Sequence, residues 1–188
     1  MDVREGASIR TFSGKTFWPL EPRAADVDMV DIAHALANLC RYVGHTRRFY
    51  SVAQHSVLVA DVVGPPHRAW GLLHDAAEAY LGDMAATVKV ADAPLGAAYR
   101  AVEESVTRTI AERFGLAWPE PDDVVVADRA LLVAEFRDLM VLHAGDLEWL
   151  VERYGPPYPK EVDPWSPDEA EVAFLDTYRR LQRAGELK

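Results

Sequence analysis

An imidazole and a carboxylate stand next to each other at His74 and Asp75, within the run AWGLLHDAAEAYLGD. Two more acids, Glu78 and Asp83, follow in the same run. Imidazole nitrogens and carboxylate oxygens are common ligands of catalytic transition metals, and a carboxylate beside such a metal can exchange protons with water and substrate. These residue types at this spacing suggest a metal-assisted hydrolase.

Two residues outside this run, His55 and Asp128, could complete a set of metal ligands. His55 lies in SVAQHSVLVA and Asp128 in VVVADRALLVAEF, and both runs have the apolar pattern of buried helices. A polar or charged side chain is costly to bury there unless it has a partner, and one divalent cation partners both kinds. Together with the His74-Asp75 pair, the set mixes nitrogen and oxygen donors. Such a set suits Mn, Fe, Co, Ni or Zn better than calcium and does not choose among them.

The pattern of apolar residues predicts that helices carry all of these side chains. The predicted helices span 31–41, 51–63, 67–81, 95–115, 122–143, 146–154 and 167–184. Ser51 is placed to cap the second of them. Ser166 precedes the last one and has Glu169 three residues later, as in a capping box.

A small β-hairpin is predicted ahead of the helices. The segment IRTFSGKTFW (9–18) has β-branched and aromatic residues on both sides of Ser13-Gly14, which predicts two strands joined by a two-residue turn. The predicted fold is therefore all-α, a helical bundle with a small N-terminal β-hairpin, in one domain that covers 1–188. Its parts are the hairpin and lead-in (1–27), the core (28–154), and a linker with the C-terminal helix (155–188).

The chain is acidic. Its 188 residues carry a net charge of -10, with 49% apolar and 27% charged residues. A nucleic-acid polymer or an anionic membrane requires dense Lys and Arg, so we expect neither as a partner, whereas a small phosphorylated substrate needs only a local cluster. The single Cys40 excludes an intramolecular disulfide. Neither a signal peptide nor an apolar run of roughly 20 residues is evident, so we expect a cytoplasmic protein.

The order of the candidate ligands resembles that of a known superfamily. His55, the adjacent His74-Asp75 and the distant Asp128 match the signature of the HD superfamily of metal-dependent phosphohydrolases, which are helical bundles. Within it, the chain resembles the small bacterial 5'-deoxynucleotidases and related bacterial and phage enzymes that act on deoxynucleoside triphosphates. HDAAEAYLGDMAATVK is similar to their His-Asp-x-x-Glu-x-x-x-x-Asp element followed by a lysine, and SVAQHS to their first-histidine segment. The likeness covers about 31–139.

This resemblance implies an HD-type domain that binds one divalent transition-metal ion (Mn, Co, Zn, Fe or Ni), with Mg as an additional ion on the substrate phosphates. The implied ligands are His55, His74, Asp75 and Asp128. The resemblance also implies that Glu78 and Asp83 place or deprotonate the attacking water and protonate the leaving oxygen. In a helix, Glu78 cannot readily bind the same ion as the His74-Asp75 pair, but it can reach a water beside it, which agrees with a catalytic role.

Four residues are candidate substrate contacts, three of them by the same resemblance. Arg41-Tyr42 resembles an Arg-Trp pair that contacts the nucleotide in the 5'-deoxynucleotidases. His45 is a further candidate for phosphate binding, and Lys89 matches the lysine that follows the acidic element. Arg can clamp a phosphate through its planar fork, and Tyr can stack on a base or sugar. The segment 84–89 lacks the prolines usual in the family, which leaves the lysine less constrained.

The combined pattern predicts a divalent-metal phosphohydrolase that acts on small nucleotides, 2'-deoxynucleotides above all. It would release either phosphate, as a 5'-nucleotidase, or triphosphate, as a dNTP triphosphohydrolase. One alternative is a cyclic-nucleotide phosphodiesterase, although a two-metal site needs more ligands than the four that are evident. Another is a non-catalytic regulatory module that binds nucleotides, although a binder has no need of Glu78 and Asp83. A third is a metal-free helical domain with the candidate ligands dispersed. By resemblance we also expect a homodimer or a higher homo-oligomer.

Overall fold

The computed structural model describes residue 4, residues 6–89 and residues 94–188. Two short strands, β1 (Ile9–Arg10) and β2 (Thr16–Phe17), precede the helices. The helices are α1 (Met29–Asn38), α2 (Val52–Val63), α3 (Arg68–Leu73), α4 (Glu78–Leu81), α5 (Ala86–Lys89), α6 (Pro94–Phe114), α7 (Asp122–Leu139), α8 (Asp146–Tyr154) and α9 (Pro167–Arg183). The predicted all-α fold with a small N-terminal hairpin is confirmed.

The hairpin is held by α1. Its strands pair antiparallel, with Ile9 opposite Phe17. Residues 11–15 connect them, so the prediction of a two-residue turn is wrong. The backbone N–H and the hydroxyl of Ser13 donate to the carboxylate of Asp31 on α1, over 2.6 and 2.8 Å. The hydrogen bonds to α1 therefore fix the conformation of the connection, which a two-residue turn would have fixed by its own backbone geometry.

The predicted helix starts at Ser51 and Ser166 are confirmed. The hydroxyl of Ser51 accepts from the backbone N–H of Gln54 over 3.1 Å at the start of α2. Ser166 and Glu169 cap α9 reciprocally, each side chain accepting from the backbone N–H of the other. Helix ends are less well predicted. The helix predicted over 122–143 ends at Leu139 as α7, because the backbone of Met140 is extended.

The helix predicted over 67–81 is interrupted. Residues 74–77 form turns between α3 and α4, and the backbone there uses i→i+3 hydrogen bonds. Nδ1 of His74 lies 2.8 Å from the carbonyl oxygen of Gly71, in the last turn of α3. A side chain that competes for a backbone carbonyl disfavours a regular helix. The prediction of one continuous helix is therefore wrong at the residues with ligand chemistry.

Helix α2 lies at the centre of the bundle and contacts α1, α3, α7 and α9. The main hydrophobic core joins Phe17 of the hairpin, Leu36 of α1, Phe114 of α6 and Phe174 of α9, so the first and last elements share one core. None of the helices in the described ranges is long and apolar enough to span a membrane.

Candidate active site

Two helices and one turn bring the candidate ligands together. His55 lies on α2, Asp128 on α7, and His74 and Asp75 in the turns after α3. Nε2 of His55 lies 3.2 Å from Nε2 of His74 and 3.1 Å from Oδ1 of Asp128. Oδ2 of Asp75 lies 3.2 Å from Nε2 of His74. One donor atom from each of His55, His74 and Asp75 fits within 4.8 Å of the others. The four candidate ligands therefore lie together, whereas the alternative of a metal-free domain predicted that they would be dispersed.

Both histidine rings are held through Nδ1. Nδ1 of His55 lies 2.6 Å from Oε1 of Glu135. Burial would raise the pKa of Glu135, but the charges of Arg41 and His55 hold it well below the usual glutamate range, so Glu135 stays ionised and accepts a hydrogen bond from Nδ1–H of His55. Nδ1 of His74 lies 2.8 Å from the carbonyl of Gly71, which can only accept. Each neutral ring therefore keeps its lone pair on Nε2.

Two facing lone pairs repel each other unless a positive charge lies between them. A transition-metal ion lies about 2.1 Å from an imidazole nitrogen, so two nitrogens on one ion are less than about 4.2 Å apart. The 3.2 Å between the two Nε2 atoms meets this limit. A proton can also supply this charge. Burial alone would lower the pKa of His74, but Asp75 and Asp128 raise it to about 10, so without an ion Nε2 of His74 is protonated at neutral pH and donates to Nε2 of His55. The site fits a divalent ion, and metal binding stays a prediction.

Glu135 is a residue that the motif pattern did not single out. It is fully buried on α7. Besides the histidine ring, its carboxylate accepts hydrogen bonds from the Tyr50 hydroxyl over 2.8 Å, from Arg41 over 3.3 Å and from the Tyr42 hydroxyl. A signal was present in the sequence, since Glu135 follows Asp128 by seven residues, which places both on one face of a helix.

Arg41 and Tyr42, two of the predicted nucleotide contacts, lie against the carboxylates of the site. Arg41 donates to Asp75 over 3.2 Å and to Glu135 over 3.3 Å. The backbone of Tyr42 and Val43 has φ values of 55° and 54°, which are strained for residues other than glycine. Neither Arg41 nor Tyr42 is on the described lining of the adjacent cavity. Their observed contacts orient ligands, and nucleotide contact by them stays a prediction.

His45 was the third predicted substrate contact, and its side chain is exposed. Its backbone N–H donates to the carbonyl of Tyr42 over 3.0 Å. Within the described part of the chain, no side-chain contact joins His45 to the candidate ligands. The structure therefore does not bring this residue to the site.

A cavity of about 440 Å³ opens beside the candidate ligands, and Glu78 and Lys89 line it. Nζ of Lys89 lies 3.2 Å from Oε1 of Glu78 and 2.7 Å from Oε1 of Glu103. Glu78 is 5% exposed, and its Oε2 has no hydrogen-bond partner among the described residues. Burial, with two nearby carboxylates, raises the pKa of Glu78 to about 9 against the opposing charge of Lys89.

Asp83 lies near Glu78 without reaching the cavity. Its side chain is partly buried, and burial raises the pKa of its carboxyl while Arg41 lowers it. Asp83 is not on the described lining. Of the two predicted catalytic acids, the structure brings Glu78 to the cavity, and the catalytic role of each stays a prediction.

Several other lining residues come from parts of the sequence without a recognisable motif. They are Arg100, Glu103, Glu104, Thr107, Trp118 and Glu120. The first four lie on α6, and the last two lie in the connection between α6 and α7. Only packing places them beside the ligands, so the sequence carried no signal for them.

No protein-family model matches the chain. The chain is similar to the uncharacterized protein YfdR of Escherichia coli (strain K12), with 36% identity over 173 residues that cover 92% of this chain and 94% of that protein. It is also similar to an uncharacterized protein of Rhodobacter capsulatus, with 33% identity over 190 residues that cover 93% of this chain and 95% of that protein. Both matches extend over nearly the whole length of each protein.

Proposed function

The chain belongs to the protein family of Escherichia coli YfdR, and we propose that it is a divalent-metal-dependent phosphohydrolase that acts on small nucleotides. The observation that carries this proposal is the pair of Nε2 atoms of His55 and His74, held 3.2 Å apart while both Nδ1 atoms are engaged elsewhere. The resemblance of the ligand order to the HD phosphohydrolases supports nucleotides, and 2'-deoxynucleotides in particular, as substrates.

The proposed ligands are His55, His74 and Asp75, whose donor atoms lie within 4.8 Å of one another, and Asp128, which lies outside that group but has Oδ1 3.1 Å from Nε2 of His55. When bound, the ion would lower the pKa of water and neutralise charge on the phosphoryl oxygens. Glu135 holds the ring of His55, and the carbonyl of Gly71 holds the ring of His74. These contacts aim both Nε2 atoms at one point, as outer contacts of metal-binding histidines commonly do.

Glu78 is the proposed proton donor to the leaving oxygen. Its pKa of about 9 keeps the carboxyl protonated at neutral pH, and the negative charge of Asp83 helps to hold that proton. Because Oε1 accepts from Lys89, the proton belongs on Oε2. The leaving oxygen of a phosphate monoester is a poor alkoxide, so a positioned acid contributes a rate factor of about 10²–10⁴.

The test begins with protein stripped of metal and reloaded with Mn, Co, Zn or Mg. Release of phosphate and of triphosphate is measured for a panel of deoxyribo- and ribonucleoside mono- and triphosphates, with cyclic nucleotides included. We expect metal-dependent release that falls to background in the double variant His74→Ala/Asp75→Ala. The matched control is His67→Ala/Asp123→Ala, which removes an exposed His–Asp pair joined over 2.7 Å. This control should retain full activity.

Glu78→Gln separates an enzyme from a regulatory binder. We expect metal and nucleotide binding to persist in this variant while turnover falls about 10²–10⁴-fold. Nucleotide binding by the wild-type protein without turnover, under every metal, would support the non-catalytic module. Turnover of cyclic nucleotides alone would support the phosphodiesterase. Absence of both binding and turnover contradicts the proposed function.

A further inference from the structure

The cavity beside the candidate metal centre has an aromatic wall formed by Trp118. This side chain is 39% exposed and lies on the lining. Its ring centroid is 6.1 Å from that of Trp70, and the guanidinium of Arg108 lies 5.1 Å from the Trp118 centroid. Trp70 is buried on α3 and donates from Nε1 to the carbonyl of Ala117 over 2.9 Å. This hydrogen bond ties the backbone just before Trp118 to α3, the helix that leads to His74.

An exposed indole in such a cavity is suited to a flat aromatic ligand. Every nucleobase has a π-face, and stacking on an aromatic side chain tolerates any base. The metal ligands His74, Asp75 and Asp128 line the same cavity. One small molecule could therefore place a phosphate at the ligands and an aromatic ring on Trp118.

The charge of the wall limits how many phosphates the cavity can take. Besides the proposed ligands Asp75 and Asp128 and the proposed proton donor Glu78, the described lining carries three acidic side chains, Glu103, Glu104 and Glu120, and two cationic ones, Lys89 and Arg100. Lys89 is already shared between Glu78 and Glu103, and the guanidinium of Arg100 donates to the backbone carbonyl of Lys89. A single phosphate needs only the ion, whereas the further phosphates of a triphosphate would lie beside Glu103, Glu104 and Glu120. Among the described lining residues only Arg100 is a cation without an ion pair to a carboxylate, and Glu104 pairs with Arg108 over 2.8 Å.

We propose that Trp118 is the platform on which the base of a nucleoside monophosphate stacks, and that the acidic wall of Glu103, Glu104 and Glu120 excludes triphosphates. This inference rests on the proposed function for the reaction itself. It assigns the released product as phosphate and makes Trp118 the residue that distinguishes a nucleotide from other phosphate monoesters.

The platform is tested with Trp118→Ala and Trp118→Phe against deoxynucleoside monophosphates and glycerol phosphate, a monoester without an aromatic ring. We expect Trp118→Ala to lower kcat/KM for nucleotides about tenfold more than for glycerol phosphate, mainly through KM, and Trp118→Phe to restore most of the loss. The control is Trp149→Ala, an indole that is 55% exposed on α8 and absent from the described lining of this cavity. Equal losses on both substrates overturn the platform.

Binding gives a readout that does not depend on turnover. Equilibrium dialysis of a deoxynucleoside monophosphate with metal-loaded Glu78→Gln protein should show about tenfold weaker binding when Trp118→Ala is added. Unchanged binding contradicts the platform. Binding that depends on Trp118 in a wild-type protein without turnover would contradict the proposed function and leave the platform supported.

The acidic wall is tested by comparing monophosphate and triphosphate. We expect the wild-type protein to prefer the monophosphate by at least about a hundredfold in kcat/KM, and Glu104→Gln/Glu120→Gln to reduce that preference about tenfold. The matched control, Glu112→Gln/Glu152→Gln, neutralises two exposed carboxylates outside the described lining. Comparable turnover of triphosphates by the wild-type protein overturns the exclusion while leaving the phosphohydrolase proposal intact.

Discussion

At the scale of single residues, Glu135 connects the candidate ligands to the interior. An ionised carboxylate is costly to bury unless it is paired and hydrogen-bonded. Glu135 meets both conditions, since it contacts His55, Arg41, Tyr42 and Tyr50. Because Arg41 also donates to Asp75, one buried network fixes two of the proposed ligands. This explains why residues predicted to touch nucleotide are found against carboxylates.

Glu135→Gln should weaken metal binding about 10–100-fold, the usual effect of losing the outer partner of a metal-binding histidine. The amide keeps the size of the side chain but removes the charge that fixes the His55 tautomer and introduces N–H donors facing Arg41. The measurement is a competition titration of Zn or Co with a chromophoric chelator. Glu152→Gln, an exposed change on α8, serves as control. A folded Glu135→Gln protein with wild-type affinity would show that Glu135 does not position the ligand.

At the scale of elements, the crossing of α2 and α3 sets the distance between the two histidines. Gly71 lies on α3 where a Cβ atom would meet the backbone of α2, 2.8 Å from Cα and 3.0 Å from N of Ala60. Helix α2 carries His55, and the carbonyl of Gly71 holds His74. The close approach permitted by glycine is thus part of the geometry of the candidate metal centre.

Gly71→Ala should separate the two helices, lower the free energy of unfolding by about 1–3 kcal/mol and weaken metal binding. The matched control is Ser166→Ala, which removes the cap of α9 and costs about 1 kcal/mol, but leaves the crossing of α2 and α3 unchanged. Denaturant unfolding and metal titration are measured for both variants. Equal metal affinities at comparable losses of stability would argue against a link between this crossing and the site.

At the scale of the whole molecule, the proposed ion would cross-link three segments of the chain. Its ligands come from α2, α7 and the turns after α3, which are distant in sequence. A ligand that binds only the folded state adds stability by mass action. Without the ion, only Arg41 and protonation of the histidine rings would balance the negative charges of Asp75 and Asp128.

Added metal should therefore raise the thermal midpoint. At a free concentration about 100 times Kd, the gain is about 2.7 kcal/mol, which corresponds to roughly 5–10 °C for a domain of this size. Thermal unfolding is followed by circular dichroism in chelator and in Mn, Co or Zn. The shift should vanish in His74→Ala/Asp75→Ala and persist in His67→Ala/Asp123→Ala. An identical midpoint with and without every metal speaks against an ion at this site.

The sequence by itself determined the class of fold and where many helices begin. Apolar periodicity and side-chain caps act within a few residues, so α2 and α9 could be predicted from Ser51 and Ser166. The candidate ligands were also visible, because imidazoles and carboxylates within apolar helices need partners. Local rules failed where a distant contact took over, as for Ser13, whose connection is held by Asp31 of α1.

Only the tertiary structure decided what surrounds the ligands. The spacing of Glu135 from Asp128 places both on one helix face but does not show that Glu135 meets His55. Trp118 has no local signal that separates it from an ordinary loop aromatic. Both roles depend on which helices lie side by side. The same holds for Arg41, which packing turns toward Asp75 and Glu135 and off the described cavity lining. Ligand chemistry is a property of residue types, whereas orientation, burial and cavity charge arise from contacts between segments far apart in the chain.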